Sequence, residues 1–307
     1  KEELDVPADY FKHFSEHNPK EIQLIGLKHI NLKEASEAIR RQLQKEQPKT
    51  VSDIDYEQNQ AILAEVDFVH LHNHSQFSVL QSTISVSDLV KATVKNKMPA
   101  VAMTDIGNMM GAFKFVSAVE GANSDRAKKH KEYLARKQEA EENGTEFNEV
   151  EPASEPLIPV VGCEFYISER YEQKQFTKDD PDRRTQVVLL AKDFEGYKNL
   201  AKLSSIGFLK GFYFGVPRIS RELIAEYKEG LIALTSGILG DIPDAILNTG
   251  EQKGEELFKW WKDTFEDDFY VQIQNHKLPE EEHLNDVLLH FADKYNVKIL
   301  AQNETFY

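Results

Sequence analysis

One cysteine, Cys163, stands among 307 residues. No intrachain disulfide can form, so the fold must be held by burial, and a reducing cytoplasm is the expected compartment. No apolar run comes near the roughly 20 residues that a membrane-spanning helix requires, so no membrane partner is expected. Positive charge is in deficit: 37 Lys and Arg against 52 Asp and Glu give a formal charge of −15. A chain this acidic cannot neutralise phosphates in quantity, which excludes non-specific nucleic-acid binding as its main activity. Histidine is sparse where it would matter for a large metal site. After His70, His72 and His74, only His130, His276, His283 and His290 follow.

What is present is a chain that is 40% hydrophobic and 29% charged, enough for a substantial core in one large domain or two ordinary ones. Residues 1–65 are polar and helix-leaning, with apolar residues at helical spacing in the second predicted helix (Ala35, Ala38, Ile39, Leu43). They read as a small, mostly helical segment and linker, the tail of a preceding domain. The chain starts at Lys1 and stops at Tyr307 just after a strand-like run, and is expected to be a piece of a longer protein.

From Val66 the rhythm changes. Short apolar runs at 66–71, 99–104, 157–167, 187–191, 231–235, 269–273 and 297–301 alternate with amphipathic stretches such as 85–96, 109–120, 195–208 and 280–295. Strands alternating with helices predict an α/β fold with a parallel sheet. Seven such units suggest a closed barrel over 66–307, with its site at the C-terminal strand ends. Residues 124–156 break the alternation with a basic run (Asp125 to Lys131) and an acidic one (Glu139 to Glu155), expected as a solvated helix and loop, with a partner-binding protrusion as the alternative.

The stretch Val69-His70-Leu71-His72-Asn73-His74-Ser75 carries the chemistry. In an extended strand residues two apart share a face, so the three imidazoles would point the same way. Converging imidazoles at a strand end suit a divalent metal. They also suit a hydrogen-bonded polar cluster in a barrel mouth, and spacing alone leaves both readings open.

His72-Asn73-His74-Ser75 followed by Phe77-Ser78 resembles the opening motif of the PHP (polymerase and histidinol phosphatase) domain. Ala102 to Met109, Val161 to Tyr166, Leu189 to Lys192 with Gly196 to Leu200, Glu229 to Leu234, and Gln274 to Glu280 are similar, in order, to the PHP domains of bacterial replicative DNA polymerase III alpha subunits of the C family. The resemblance runs from about Asp67 to Tyr307, with 124–156 as an insertion, and implies a distorted (β/α)7 barrel. It also implies a polynuclear metal site, and here the chain departs from the pattern. His72, His74 and Glu164 match ligand positions, whereas Gln81, Ile106, Gln186 and Ile238 stand where an acid, two histidines and a thiol or imidazole are expected. In the closing motif Glu304 replaces an aspartate and Phe306 a histidine.

The surviving set, His72, His74, Glu164 and Glu304, is the set that the family assigns to one of its metals. At most one divalent ion, Zn or Mn, is therefore expected, with Ile106, Ile238 and Phe306 filling the space of the lost ligands. The resemblance implies a non-catalytic structural and interaction domain of a polymerase whose DNA-directed nucleotidyl transfer lies elsewhere in the chain. The implied partners are the rest of the alpha chain and a proofreading subunit, with DNA reached only through the full-length protein. The competing functions are an active metal-dependent phosphoesterase or 3′–5′ proofreading exonuclease, and a stand-alone hydrolase. Asp179-Asp180-Pro181-Asp182 is expected to be a solvated loop rather than a pair of polymerase carboxylates.

Overall fold

The computed structural model describes residues 68–306, so the expectations for residues 1–65 lie outside the described residues. Helices and strands alternate as the sequence predicts: α1 (Val86–Lys95), β1 (Ala100–Met103), α2 (Ala112–Glu142), β2 (Ile158–Ile167), β3 (Thr185–Ala191), α3 (Phe194–Leu209), β4 (Arg218–Ile219), α4 (Arg221–Glu226), β5 (Leu231–Leu234), α5 (Asp241–Asn248), α6 (Glu251–Phe265), β6 (Phe269–Ile273), α7 (Pro279–Tyr295) and β7 (Lys298–Ala301). The starts of several helices are fixed by side-chain caps, Ser85 accepting from Asp88 N–H, Asp193 from Gly196 N–H and Ser220 from Leu223 N–H. Among the described residues no helix is long and apolar enough to cross a membrane.

The strands join in the order β1-β2-β3-β5-β6-β7, with the two-residue β4 paired to β2. The sheet is not wholly parallel. β3 runs antiparallel to both β2 and β5. The β2–β3 connection, residues 168–184, carries no helix, and without a crossover the chain can only return in the opposite direction. β4 was not legible, because two residues cannot establish a period. The first expected strand, 66–71, does not form one over its described part. Residues 69–74 instead run as an extended segment bonded to both free edges of the sheet.

That segment closes the barrel. On the β1 side His70 C=O accepts from Ala102 N–H at 2.9 Å and Asn73 C=O from Thr104 N–H at 2.8 Å. On the β7 side the bonds come largely from a side chain: Gln302 Oε1 accepts from Leu71 N–H and its Nε2 donates to Val69 C=O, both at 2.9 Å. Thr305 C=O then accepts from His74 N–H at 2.9 Å.

Alternation along the strands sorts residues between the lumen and the outer core. Val188 and Leu190 join Ala102 and Leu234 in a small inner cluster, with Val160, Tyr270 and Leu300 against it. Val187 and Leu189, on the other face, join the large cluster of helix and strand residues that includes Phe258, Trp261 and Phe291. Because Cys163, Phe165 and Ile167 belong to that outer cluster, Glu164 must face inward. At Gly162 β2 passes from pairing with β1 to pairing with β3, and a Cβ there would lie 2.8 Å from Leu189 C=O.

The charged stretch is a helix continued rather than a break. α2 runs unbroken from residue 112 to 142 because nothing between Asp125 and Glu142 is a proline or glycine. The following loop returns along it, with Glu149 bonded to Arg136 and Asn123 bonded to the Leu157 backbone. The Asp179–Asp182 loop is also more ordered than expected. Asp182 accepts from Arg218 at 2.6 Å, and this fully buried guanidinium also donates to the carbonyls of Tyr171, Gln173 and Gly211. A buried cation must be paired and hydrogen-bonded, and here it staples the β2–β3 loop.

Removing the Gln302 amide should leave the Leu71 N–H and the Val69 C=O unpartnered. Gln302→Leu is expected to lower the urea-derived unfolding free energy by about 2–4 kcal/mol, from two partly buried backbone groups losing their bonds. A loss below about 0.5 kcal/mol, within the range of an ordinary surface change, would show that the edges are held by other means.

Candidate metal centre

Three separate stretches bring four side chains to the C-terminal mouth. His72 and His74 lie on the closing segment, Glu164 in β2 and Glu304 just after β7. One ligand atom from each lies within 4.8 Å of every other. His72, His74 and Glu164 are buried, whereas the Glu304 side chain is 26% exposed. His74 Nε2 is 2.7 Å from Glu164 Oε2, and His72 Nε2 is 3.7 Å from Glu164 Oε1. Glu304 Oε1 is 3.9 Å from His74 Nδ1. His70 does not join the group; it packs edge-on against Phe68, so the strand parity that would align three imidazoles fails at the bend in the segment.

Burial alone would push the Glu164 carboxyl up, but the imidazoles of His72 and His74 overcome it and bring it down to about 2. Burial pulls His74 down, and its bond to Glu164, with the charges of Glu164, Glu304 and Asp105, raises it above 6.5. Glu304 is raised, first by burial and then by Glu164, against the pull of His72 and His74.

Asp105 lies close by but is fully engaged. It accepts from Ser75 N–H, Ser75 Oγ and Ser78 Oγ, each at 2.7 Å, and so fixes the loop that follows His74. Ser82 Oγ lies 2.7 Å from His74 C=O and 2.6 Å from Phe306 C=O, tying that loop to the chain end. Cys163 is excluded as a ligand or nucleophile, since it faces the outer core and burial pushes its thiol well up.

Ile106 bridges to Glu164, Gln186 bonds through its backbone to Leu239, and Gln81 is exposed. Ile106, Ile238 and Phe306 are half-buried and belong to none of the core clusters. Phe306 stacks on His74, with ring centroids 4.3 Å apart. Of the later histidines, His276 bonds to Glu281 and is near enough for its charge to act on Glu304, though it is not one of the converging ligands, and His283 and His290 are exposed.

Two participants escaped the sequence reading. Gln272 reaches His72 Nδ1 at 3.2 Å, and Asp105 holds the loop. A polar residue in the inward phase of an apolar strand, as Gln272 is in Phe269–Ile273, was the available signal.

Whether the residues suit a cation can be judged from their own atoms. His72 Nε2 and Glu164 Oε1 are buried, face each other and have no hydrogen-bond partner. Two ligands on one tetrahedral Zn, at bonds of ~2.0–2.1 Å, stand about 3.4 Å apart, near the separation found here. Nitrogen and carboxylate donors together suit Zn or Mn, so the residues fit a single ion.

The molecule is thus an α/β barrel with a histidine–carboxylate group, able to hold a metal ion, at its C-terminal mouth. Residues 70–276 match the family described as PHP domain, and the chain belongs to that family. It is 36% identical over 247 residues to the DNA polymerase III subunit alpha of Aquifex aeolicus (strain VF5), covering 78% of this chain and 18% of that protein. With the DNA polymerase III subunit alpha of Thermus aquaticus the identity is 34% over 248 residues, covering 80% of this chain and again 18% of the relative. The chain thus spans less than a fifth of the length of these relatives.

The His74–Glu164 pair sets a pH dependence. A raised histidine contributes stability that is full below 6.5 and is lost as pH rises through its folded value. A depressed carboxyl contributes stability that is present above 4.5 and is lost as pH falls towards about 2. With chelator present, the stability difference between wild type and His74→Gln should therefore be largest between pH 4.5 and 6.5 and shrink on both sides. Denaturant melts across pH would refute the pairing if that difference grew steadily towards alkaline pH.

Proposed function

We propose that this chain is the PHP domain of a DNA polymerase III alpha subunit, that it does not itself catalyse, and that it serves as a structural and interaction module holding at most one divalent ion. The parent role follows the two relatives, which are alpha subunits of which it matches a small part. DNA synthesis would then belong to the rest of the alpha chain, which is the first partner. A proofreading subunit is a second, and DNA would be reached only through the full-length protein.

One observation carries the case against catalysis. Among the described residues the quartet His72, His74, Glu164 and Glu304 is the one group able to hold a metal. Phosphodiester cleavage of the two-metal kind needs a second ion a few ångströms away, one ion for the attacking and one for the leaving oxygen. Ile106, Ile238 and Phe306, which stand where the resemblance expects ligands, offer no donor. A bound ion supplies a fixed positive charge. His72 and Glu164 would hold it through their unpartnered atoms, together with His74 and Glu304. The ion would join the closing segment, β2 and the residues after β7, a structural service.

The competing reading is a phosphoesterase or 3′–5′ exonuclease working with one ion, and the persistence of the complete quartet favours it. A direct assay separates the two. Chelated protein is expected to bind one Zn²⁺ or Mn²⁺ per chain by calorimetry, and His72→Ala to abolish this. The same protein should release no nucleotide from a labelled single strand with Mn²⁺, Zn²⁺ or Mg²⁺. Turnover that vanishes in both His72→Ala and His74→Ala, or a stoichiometry of two or more, would establish an active site.

A further inference from the structure

Gln272 reaches a quartet imidazole, that of His72, from the barrel interior. It sits in β6 in phase with Tyr270, which packs against the inner cluster, and is 2% exposed. Its Nε2 lies 3.2 Å from His72 Nδ1, and its own Oε1 is buried without a partner. Amide, imidazole and carboxylate therefore form a row, Gln272–His72–Glu164, with unpartnered atoms at both ends and at His72 Nε2.

An amide can be turned end for end within the same density of packing, and the two orientations have different consequences. With Gln272 Nε2 donating, His72 Nδ1 must accept, and the neutral ring carries its proton on Nε2. That N–H then faces Glu164 Oε1 across 3.7 Å, too far for a hydrogen bond. With the amide reversed, Nδ1–H donates to Gln272 Oε1, and Nε2 presents a lone pair to the Glu164 lone pair. Two acceptors facing each other in a buried site repel unless a cation lies between them.

We infer that Gln272 is a positioning residue for this site: its amide holds His72 Nδ1, donating to it in the metal-free protein and, reversed, accepting from it when a cation is bound. The inference rests on the reading of the quartet as a cation site. A metal-ligating histidine ordinarily donates its other N–H to an oxygen acceptor, and loss of that acceptor typically costs about 10–100-fold in metal affinity. A glutamine differs from the usual carboxylate or carbonyl in offering either a donor or an acceptor. It can satisfy Nδ1 in either tautomer.

Two replacements move in opposite directions. Gln272→Leu removes the acceptor, and should weaken Zn²⁺ binding by about 10-fold or more. Gln272→Glu can only accept from Nδ1–H, so it should bind Zn²⁺ at least as tightly as wild type. Thermal melts of the chelated variants check that each is folded. Long-range ¹⁵N–¹H spectra of histidine-labelled protein at pH 8 then read the tautomer directly. Chelated wild type should show His72 protonated on Nε2, and chelated Gln272→Glu should show the proton on Nδ1. Identical tautomer populations in these two proteins, or a Leu variant binding Zn²⁺ as tightly as wild type, would overturn the inference. If wild type binds no Zn²⁺, the cation reading fails, while the tautomer comparison still decides whether Gln272 sets the ring.

Discussion

The barrel depends on how the segment 69–74 is held between β1 and β7. A regular strand would use its own ladder of N–H and C=O groups on both sides. Here the β7 side is completed by the Gln302 amide, which bonds Val69 C=O and Leu71 N–H. The β1 side is reinforced by Asn73 Nδ2, which donates to His70 C=O and Ala102 C=O. Side chains substitute for backbone because the segment bends, and a bent backbone in a closed barrel would otherwise leave buried polar groups unpaired. The bend also carries His72 and His74 to the mouth.

A second constraint is the layering of the lumen. Residues of the inner phase are apolar at one end, as Val160, Leu190, Tyr270 and Leu300 are. Two or more positions towards the mouth they become polar: Thr104, Glu164, Gln186, Ser236, Gln272 and Gln302, all buried. A buried carboxylate there must be compensated, and breaking such a pair costs about 3–5 kcal/mol because a charge is left behind. Asp105 solves this with three donors of its own loop. Glu164 has one direct partner, His74, and one oxygen without any. The two carboxylates are both buried but differ in what they can still bind.

Much of this was legible in the sequence, and the failures have physical causes. Strand and helix alternation was readable because strands buried on both faces are apolar runs bounded by turns, as in Val187–Ala191. The direction of β3 was not readable, since apolarity says nothing about orientation and only the helix-free 168–184 connection hints at it. The convergence of His72, His74, Glu164 and Glu304 was anticipated through family resemblance, not through spacing, which treated His70 as their equal. Roles that depend on which atom meets which, such as Gln302 replacing a ladder or Asp105 collecting hydroxyls, leave no periodic trace. Phe306, expected in the space of a lost ligand, lies stacked on the His74 imidazole and half-buried, a placement that an aromatic ring reaches by its face rather than by any sequence period.

The two histidines have a double duty. His72 and His74 serve through their backbones as well as their rings. His72 C=O and His74 N–H form the bridge to Thr305, and His74 C=O is bonded by Ser82 Oγ. Positions 81, 106, 186 and 238 carry no comparable side-chain duty in closure: Gln81 is exposed, and Ile106 and Gln186 contribute to the bridges through backbone groups that any residue supplies. Substitution at the latter positions removes donors without opening the barrel. Substitution at Glu164 would instead leave His74 without its partner in a dry site, at the cost expected of a broken buried pair. Closure of the barrel and the quartet thus share the same segment, so a change that disturbs one disturbs the other.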